Sequence, residues 1–179
     1  GMVVTRPILF GNDVIVRDGT NTIYAFDQAT GAWRWQVSRA KPLKFSAAGE
    51  SPLFIASGQL YVGLSNGLLL CLDAANKGKL LWELDLGGDG EGFKDVDANF
   101  TFYRQYLSVA NVATGVALVD TRGRVKSRLA RPLVVSQVSV DSNLILANGD
   151  GEIYRLDPER NRVLWKSRFS RNNGPAQRL

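Results

Sequence analysis

The sequence predicts an all-β fold, a β-propeller segment of about four four-stranded antiparallel blades. Two observations predict this fold. A hairpin pattern occurs four times, and the length of the repeat suits about four short strands per copy. The clearest copy, IYAFDQATGAWRW, covers residues 23–35, and related copies cover residues 68–82, 116–129 and 152–165. The aspartates of the four copies lie 46, 47 and 37 residues apart. They are Asp27, Asp73, Asp120 and Asp157.

The first hairpin shows why each copy is expected to be strand, turn, strand. Residues 23–26 are β-branched and aromatic, which favours an extended segment. Asp27 and Thr30 can accept hydrogen bonds from the backbone of a turn, and Gly31 tolerates a positive φ. Residues 32–37 then place apolar side chains at every second position, on one face of a strand. Alone, this stretch fits an ordinary surface hairpin, so the repetition is what favours a blade.

Each hairpin is preceded by a further strand and a glycine-bearing turn, which sets the expected domain organisation. These segments are DVIVRDG, QLYVGLSNG, YLSVANVATG and LILANGDG. We predict a single partial propeller domain over residues 1–179, with no helix pattern and a frayed tail at residues 170–179. The blades are expected over residues 3–37, 51–86, 98–130 and 134–169.

Composition excludes several classes of function. Hydrophobic residues make up 45% of the chain, which argues against disorder, and no apolar run approaches the roughly 20 residues of a membrane-spanning helix. The chain has no histidine, which removes histidine-based general bases, Ser-His-Asp triads and nearly every zinc site. Cys71 is the single cysteine and lies in the middle of an apolar strand pattern, so we expect a buried structural thiol and no internal disulfide.

The net charge of +5 raises the question of a nucleic-acid partner. Bases dominate from Arg122 onward, but they alternate with apolar residues as the exposed positions of strands do. No aromatic stacking platform is interleaved with them, so we predict no nucleic acid. The glycine-rich residues 87–94 lack the Lys-Ser/Thr ending of a phosphate-binding loop, and their acids do not have the spacing of a calcium-binding EF-hand loop.

The hairpin resembles the PQQ-type propeller repeat, in which a tryptophan packs between neighbouring blades. Asp27, Ala29, Thr30, Gly31 and Trp35 match its core, whereas the third copy has no tryptophan. Propellers of this type close with seven or eight blades, so the resemblance implies half of such a ring. Unpaired edges favour pairing, and we expect a homodimer that completes the ring. The residues expected to be structural are Asp27, Thr30, Gly31, Trp35, Asp73, Trp82, Asp120, Asp157 and Trp165.

Two segments between the predicted blades carry a closer resemblance. Residues 45–52, FSAAGESP, and residues 93–98, FKDVDA, resemble connectors of the BamB family, propeller lipoproteins of the outer-membrane β-barrel assembly machinery. The resemblance implies a periplasmic, outer-membrane-associated scaffold without catalysis or cofactor, whose signal and anchor are absent from this chain. Its partner would be the periplasmic domains of a BamA-like barrel-forming subunit. The implied contact residues are Phe45, Glu50, Ser51, Asp95 and Asp97.

The residues alone leave alternatives open. Asp95 and Asp97 lie two positions apart, so both carboxylates face one way in an extended segment, but the same residues could cap turns that seat one blade on the next. The family's arginine before Gly-Glu-Ser is absent here. A sensor or adhesion propeller is one alternative function. A fragment of a PQQ-dependent dehydrogenase is another, although such enzymes hold the quinone with a disulfide pair and calcium-binding acids, so we predict no PQQ.

Overall fold

The computed structural model describes residues 3, 5–39, 53–88, 95–96, 98–131 and 133–169. These residues form sixteen strands in four four-stranded antiparallel sheets, in which each strand pairs with its neighbours along the chain. The all-β prediction of four propeller blades is therefore confirmed. No helix in the described ranges is both long and apolar enough to span a membrane.

The blades are numbered in chain order. Blade 1 contains β1 (Ile8–Phe10), β2 (Asp13–Arg17), β3 (Thr22–Asp27) and β4 (Trp33–Ser38). Blade 2 contains β5 (Leu53–Ala56), β6 (Gln59–Gly63), β7 (Leu68–Asp73) and β8 (Lys79–Asp85), with a 3₁₀ turn at Ala74–Asn76. Blade 3 contains β9 (Thr101–Tyr103), β10 (Tyr106–Asn111), β11 (Gly115–Val119) and β12 (Val125–Leu129). Blade 4 contains β13 (Val134–Val140), β14 (Asn143–Asn148), β15 (Glu152–Asp157) and β16 (Arg162–Arg168).

The third and fourth strands of every blade pair with the same irregularity. In each blade the register shifts by one residue just before the hairpin aspartate, as expected of a β-bulge. The residue of the fourth strand that comes directly after the bulge is therefore structurally equivalent in all blades. These four residues are Trp35, Trp82, Ser127 and Trp165.

Residues Gly1–Asp97 form one compact unit that contains blades 1 and 2. Its core joins Ile15, Ile23 and Trp35 of blade 1 to leucines of blade 2, including Leu60 and Leu72. Alternation explains this core, because every second side chain of a strand shares one face. Burying such branched and aromatic side chains removes apolar surface from water, which is the main force that holds the two sheets together.

The free thiol of Cys71 is buried in β7, as the sequence predicts. Burial raises its pKa to about 12, and the nearby Asp73 carboxylate acts in the same direction. A thiol in this state is not a nucleophile at neutral pH.

Residues Ala98–Leu179 form a second compact unit that contains blades 3 and 4. Its apolar core includes Tyr103, Leu118, Leu144 and Leu156. A buried polar network also joins the two blades at Gln137. The side-chain amide of Gln137 donates to the carbonyls of Asn99 and Ser108 at 2.8 and 2.9 Å, and its oxygen accepts from Ser108 Oγ at 2.6 Å. Because buried amides need partners, this network specifies how β13 sits on blade 3.

Candidate functional site

Most of the predicted partner contacts lie outside the described residues, namely Phe45, Glu50, Ser51 and Asp97, as does the tail at residues 170–179. Asp95 is described, and only 1% of its surface is exposed. The next residue, Val96, is buried too, and its N–H donates to the Leu64 carbonyl of blade 2 at 3.3 Å. This part of the second connector is thus attached to blade 2. Contact between Asp95 or the other predicted residues and a partner stays a prediction.

The hairpin aspartate of blade 1 organises its turn. The carboxylate of Asp27 accepts from the N–H groups of Ala29 and Thr30 at 3.0 and 2.8 Å, and from Thr30 Oγ1 at 2.9 Å. Gly31 closes the turn with φ of 71° and donates to the Asp27 carbonyl at 2.8 Å. The ion pair with Arg34, followed by the bonds from Thr30, holds the pKa of Asp27 well below its ordinary value.

The other three hairpins use the same arrangement. Asp73 accepts from two backbone N–H groups at 3.1 and 3.2 Å, and Gly78 donates to its carbonyl at 3.0 Å. Asp120 accepts from the N–H groups of Arg122 and Arg124, each at 2.9 Å. Asp157 accepts from two N–H groups at 3.0 and 3.2 Å. These aspartates therefore shape turns, which is the role that their position after a strand indicates.

Trp35 occupies a slot between blades 1 and 2. It is 5% exposed, and its indole Nε1 donates to Asp13 Oδ2 at 3.1 Å. Its ring lies against Gly78 in the β7–β8 turn, where an added Cβ would be 2.6 Å from Trp35 Cζ3. Only glycine leaves room for the indole at this turn, and the same residue adopts the positive φ that the turn requires.

This contact has two parts, the tryptophan and the glycine turn that faces it. Blade 4 has a tryptophan at the equivalent position, and blade 1 has an equivalent glycine turn. Trp165 is equivalent to Trp35 but is 39% exposed. Gly31 is equivalent to Gly78, since both follow the hairpin aspartate and donate to its carbonyl. Among the residues that the structure describes, no atom lies within 4 Å of a Cβ placed at Gly31.

Blade 3 has Ser127 where the other blades have tryptophan, and a cleft of about 430 Å³ opens there. The cleft lies between blades 3 and 4, beside the turn that follows Asp157. Its lining residues are Tyr103, Arg104, Gln105, Tyr106, Leu118, Lys126, Ser127, Pro158 and Glu159.

Sequence reasoning missed this cleft and the Gln137 network. The missing tryptophan of the third copy was a visible signal for the cleft. Nothing in the sequence marks Gln137 as buried, because a glutamine on a strand is usually exposed.

A family model described as outer membrane protein assembly factor BamB matches residues 1–167. The chain belongs to the BamB family. No curated protein sequence matches this BamB-family chain significantly.

Solved structures share the blade arrangement at low sequence identity. BamB from Moraxella catarrhalis superposes with a TM-score of 0.75 at 22% identity, over 89% of this chain and 47% of that protein. Quinohemoprotein alcohol dehydrogenase from Comamonas testosteroni gives 0.70 at 16% identity, over 93% of this chain and 35% of the enzyme. Sqt1 from Saccharomyces cerevisiae gives 0.70 at 15% identity, over 94% and 52%. The BamB-family chain thus spans about half the length of the solved relative BamB, and these likenesses show the fold alone.

Proposed function

We propose that this chain is a non-catalytic scaffold of outer-membrane β-barrel assembly that binds the periplasmic domains of a BamA-like barrel-forming subunit. The match to the BamB family over residues 1–167 is the observation that carries the proposal. The proposed location is the periplasm, in association with the outer membrane. The absence of histidine from the sequence agrees with a role in binding rather than catalysis.

The proposed contact surface lies on the two connectors that precede blades 2 and 3. Phe45 supplies an aromatic anchor, Glu50 and Asp97 supply negative charge, and Ser51 supplies a hydroxyl group. A surface of this composition suits a partner with a basic rim around an apolar pocket. Asp95, being buried, would act by holding the second connector in place.

A titration by calorimetry of the periplasmic domains of the cognate barrel-forming subunit tests the scaffold role. We expect Glu50→Ala/Asp97→Ala to weaken binding at least tenfold, because two charged contacts of about 1 kcal/mol each would be lost. Glu83→Ala/Asp150→Ala is the matched control, since it removes the same charge from exposed strand and turn positions outside the connectors. The control should bind like the unmodified chain.

Two outcomes would contradict this proposal. Failure of the unmodified, folded chain to bind would remove the scaffold role. Equal weakening by both double variants would instead mean that net charge, not the connectors, drives binding. Asp95→Ala is measured separately by thermal unfolding, because a change at a buried residue is expected to lower stability.

We also propose that two copies of this chain pair, with Trp165 of one copy packed on the β3–β4 turn of the other. Val138, Ile145, Arg155 and Trp165 are aligned across blade 4, in the same row as Ile8, Ile15, Ala25 and Trp35 of blade 1. In blade 1 this row packs in the core against blade 2. In blade 4, Val138 is 49% exposed. The open space at Gly31 matches the slot that Trp35 fills at Gly78.

Sedimentation velocity over about 5–200 µM tests the pairing. We expect the unmodified chain to associate and Gly31→Trp to weaken association at least tenfold by filling the space at the turn. Gly58→Trp is the control, because Gly58 also has a positive φ and open space but lies in the β5–β6 turn of blade 2. A monomer of 19.6 kDa at every concentration would refute the pairing.

A further inference from the structure

The cleft at Ser127 is the slot in which an interblade tryptophan would lie. Leu118 and Ser127, which line it, are the pair that corresponds to Ala25 and Trp35 of blade 1. Pro158 and Glu159, on its other side, belong to the hairpin turn of blade 4, which corresponds to the turn of Gly78. The cleft is therefore bounded by the same strand pair and the same kind of turn as the Trp35 slot, but it has neither the tryptophan nor the turn glycine of that slot.

The walls of the cleft combine aromatic surface with positive charge. Tyr103 is buried, Tyr106 is partly buried, and with Leu118 they supply apolar contact. The guanidinium of Arg104 lies 5.5 Å from the centre of the Tyr103 ring and forms an ion pair with Glu159. Lys126 is exposed and forms no ion pair with the described residues. With Arg104 and Glu159 paired, Lys126 leaves the cleft with a net positive charge.

We infer that this cleft binds a planar aromatic group that carries a carboxylate nearby. The volume falls within the range of small-ligand sites, and an indole is the group that the equivalent slot holds in blade 1. The aromatic group would pack on Tyr106 and Leu118, and its carboxylate would approach Lys126. None of the residues that line the cleft belongs to the connectors that carry the proposed scaffold role.

Heteronuclear NMR titration with indole-3-propionate tests the inference on the whole chain. We expect a Kd on the order of 1 mM, given the size of the ligand, with shifts at the amides of Tyr106, Lys126 and Ser127. Tryptamine has the same ring with a positive charge and should bind at least about threefold more weakly. The blocked peptide Ac-Asp-Trp-NH₂ tests whether the natural ligand is a small molecule or a protein segment. If the peptide binds more tightly than indole-3-propionate does, the natural ligand is a protein segment.

Two pairs of variants make the test specific. Ser127→Trp should fill the slot, abolish binding and raise the melting temperature, whereas Ser127→Ala should leave binding intact. Lys126→Glu should reverse the preference, so that tryptamine binds more tightly than indole-3-propionate. Arg128 lies on the same strand but does not line the cleft, so Arg128→Glu should keep the original preference. The Lys126 pair remains informative if Ser127→Trp does not fold. Absence of shifts at these amides, or an unchanged preference in Lys126→Glu, would overturn the inference.

Discussion

At the scale of single residues, identical side chains have different roles because their surroundings differ. Trp33 and Trp35 belong to the same strand, yet Trp33 is 60% exposed and Trp35 is 5% exposed. Trp35 also satisfies its indole N–H through Asp13. We therefore expect Trp35, whose ring fills the slot between two sheets, to contribute more to stability than Trp33.

The two tryptophans predict a contrast in stability. Trp35→Ala should lower the free energy of unfolding by about 3–5 kcal/mol, because it removes a buried ring and leaves a cavity. Trp33→Ala is the control in the same strand and should cost less than about 1 kcal/mol. Urea unfolding, followed by circular dichroism, measures both. Equal losses would mean that the slot at Gly78 contributes little.

At the scale of elements, β15 and β16 are joined by a charged cluster across the strands. The Glu152 carboxylate forms an ion pair with Lys166 and also accepts from the Tyr154 hydroxyl. Residues on the same face of neighbouring strands interact in this way, and opposite charges stabilise the pairing modestly. Lys166, followed by Tyr154, lowers the pKa of Glu152 to about 2, from an ordinary value of 4.5.

This depressed pKa predicts a loss of stability in acid. The folded chain favours the ionised carboxylate, so the contribution of Glu152 is present above about pH 4.5 and is lost as the pH falls towards 2. Glu152→Gln should therefore lower the melting temperature at pH 6, with a difference from the unmodified chain that shrinks towards pH 3.

Lys166→Gln removes the partner of Glu152 and should show the same trend with pH. Thermal unfolding at several pH values measures all three proteins. Curves that stay parallel from pH 6 to pH 3 would contradict the role of this cluster.

At the scale of the whole molecule, the blade architecture serves both assembly factors and enzymes. The chain belongs to the BamB family, but its fold also resembles quinohemoprotein alcohol dehydrogenase. Fold similarity at this level cannot decide between binding and catalysis. The cysteine content decides our prediction about PQQ. The chain has a single cysteine, Cys71, which excludes an internal disulfide, and its thiol is buried.

We therefore expect no binding of PQQ. Addition of PQQ with calcium should leave the melting temperature unchanged, because a ligand that binds only the folded state would raise it. The control is a PQQ-dependent dehydrogenase treated in the same way. A rise of several degrees in this chain would contradict the proposed non-catalytic role and favour the dehydrogenase alternative.

The repeat, the strands and the turns could be predicted from the sequence, because these features depend on neighbouring residues. Alternation predicted the strands around Asp27, and an aspartate followed by a threonine and a glycine predicted the tight turn between them. Counting residues could not identify Ser127 as the equivalent of Trp35, because the turns differ in length. The bulge in the strand pairing was needed to align them.

Which of these side chains are buried depends on the way the strands pack in three dimensions. Alternation placed the carboxylates of Asp95 and Asp97 on one face but could not tell which face packs, and Asp95 is buried. Likewise, Trp35 and Trp165 have the same local pattern, but within the described part of the chain a glycine turn lies against the ring of Trp35 alone, and Trp165 is 39% exposed. Burial of a side chain depends on which distant segment of the chain packs against its face of the strand. A local sequence pattern does not contain that information.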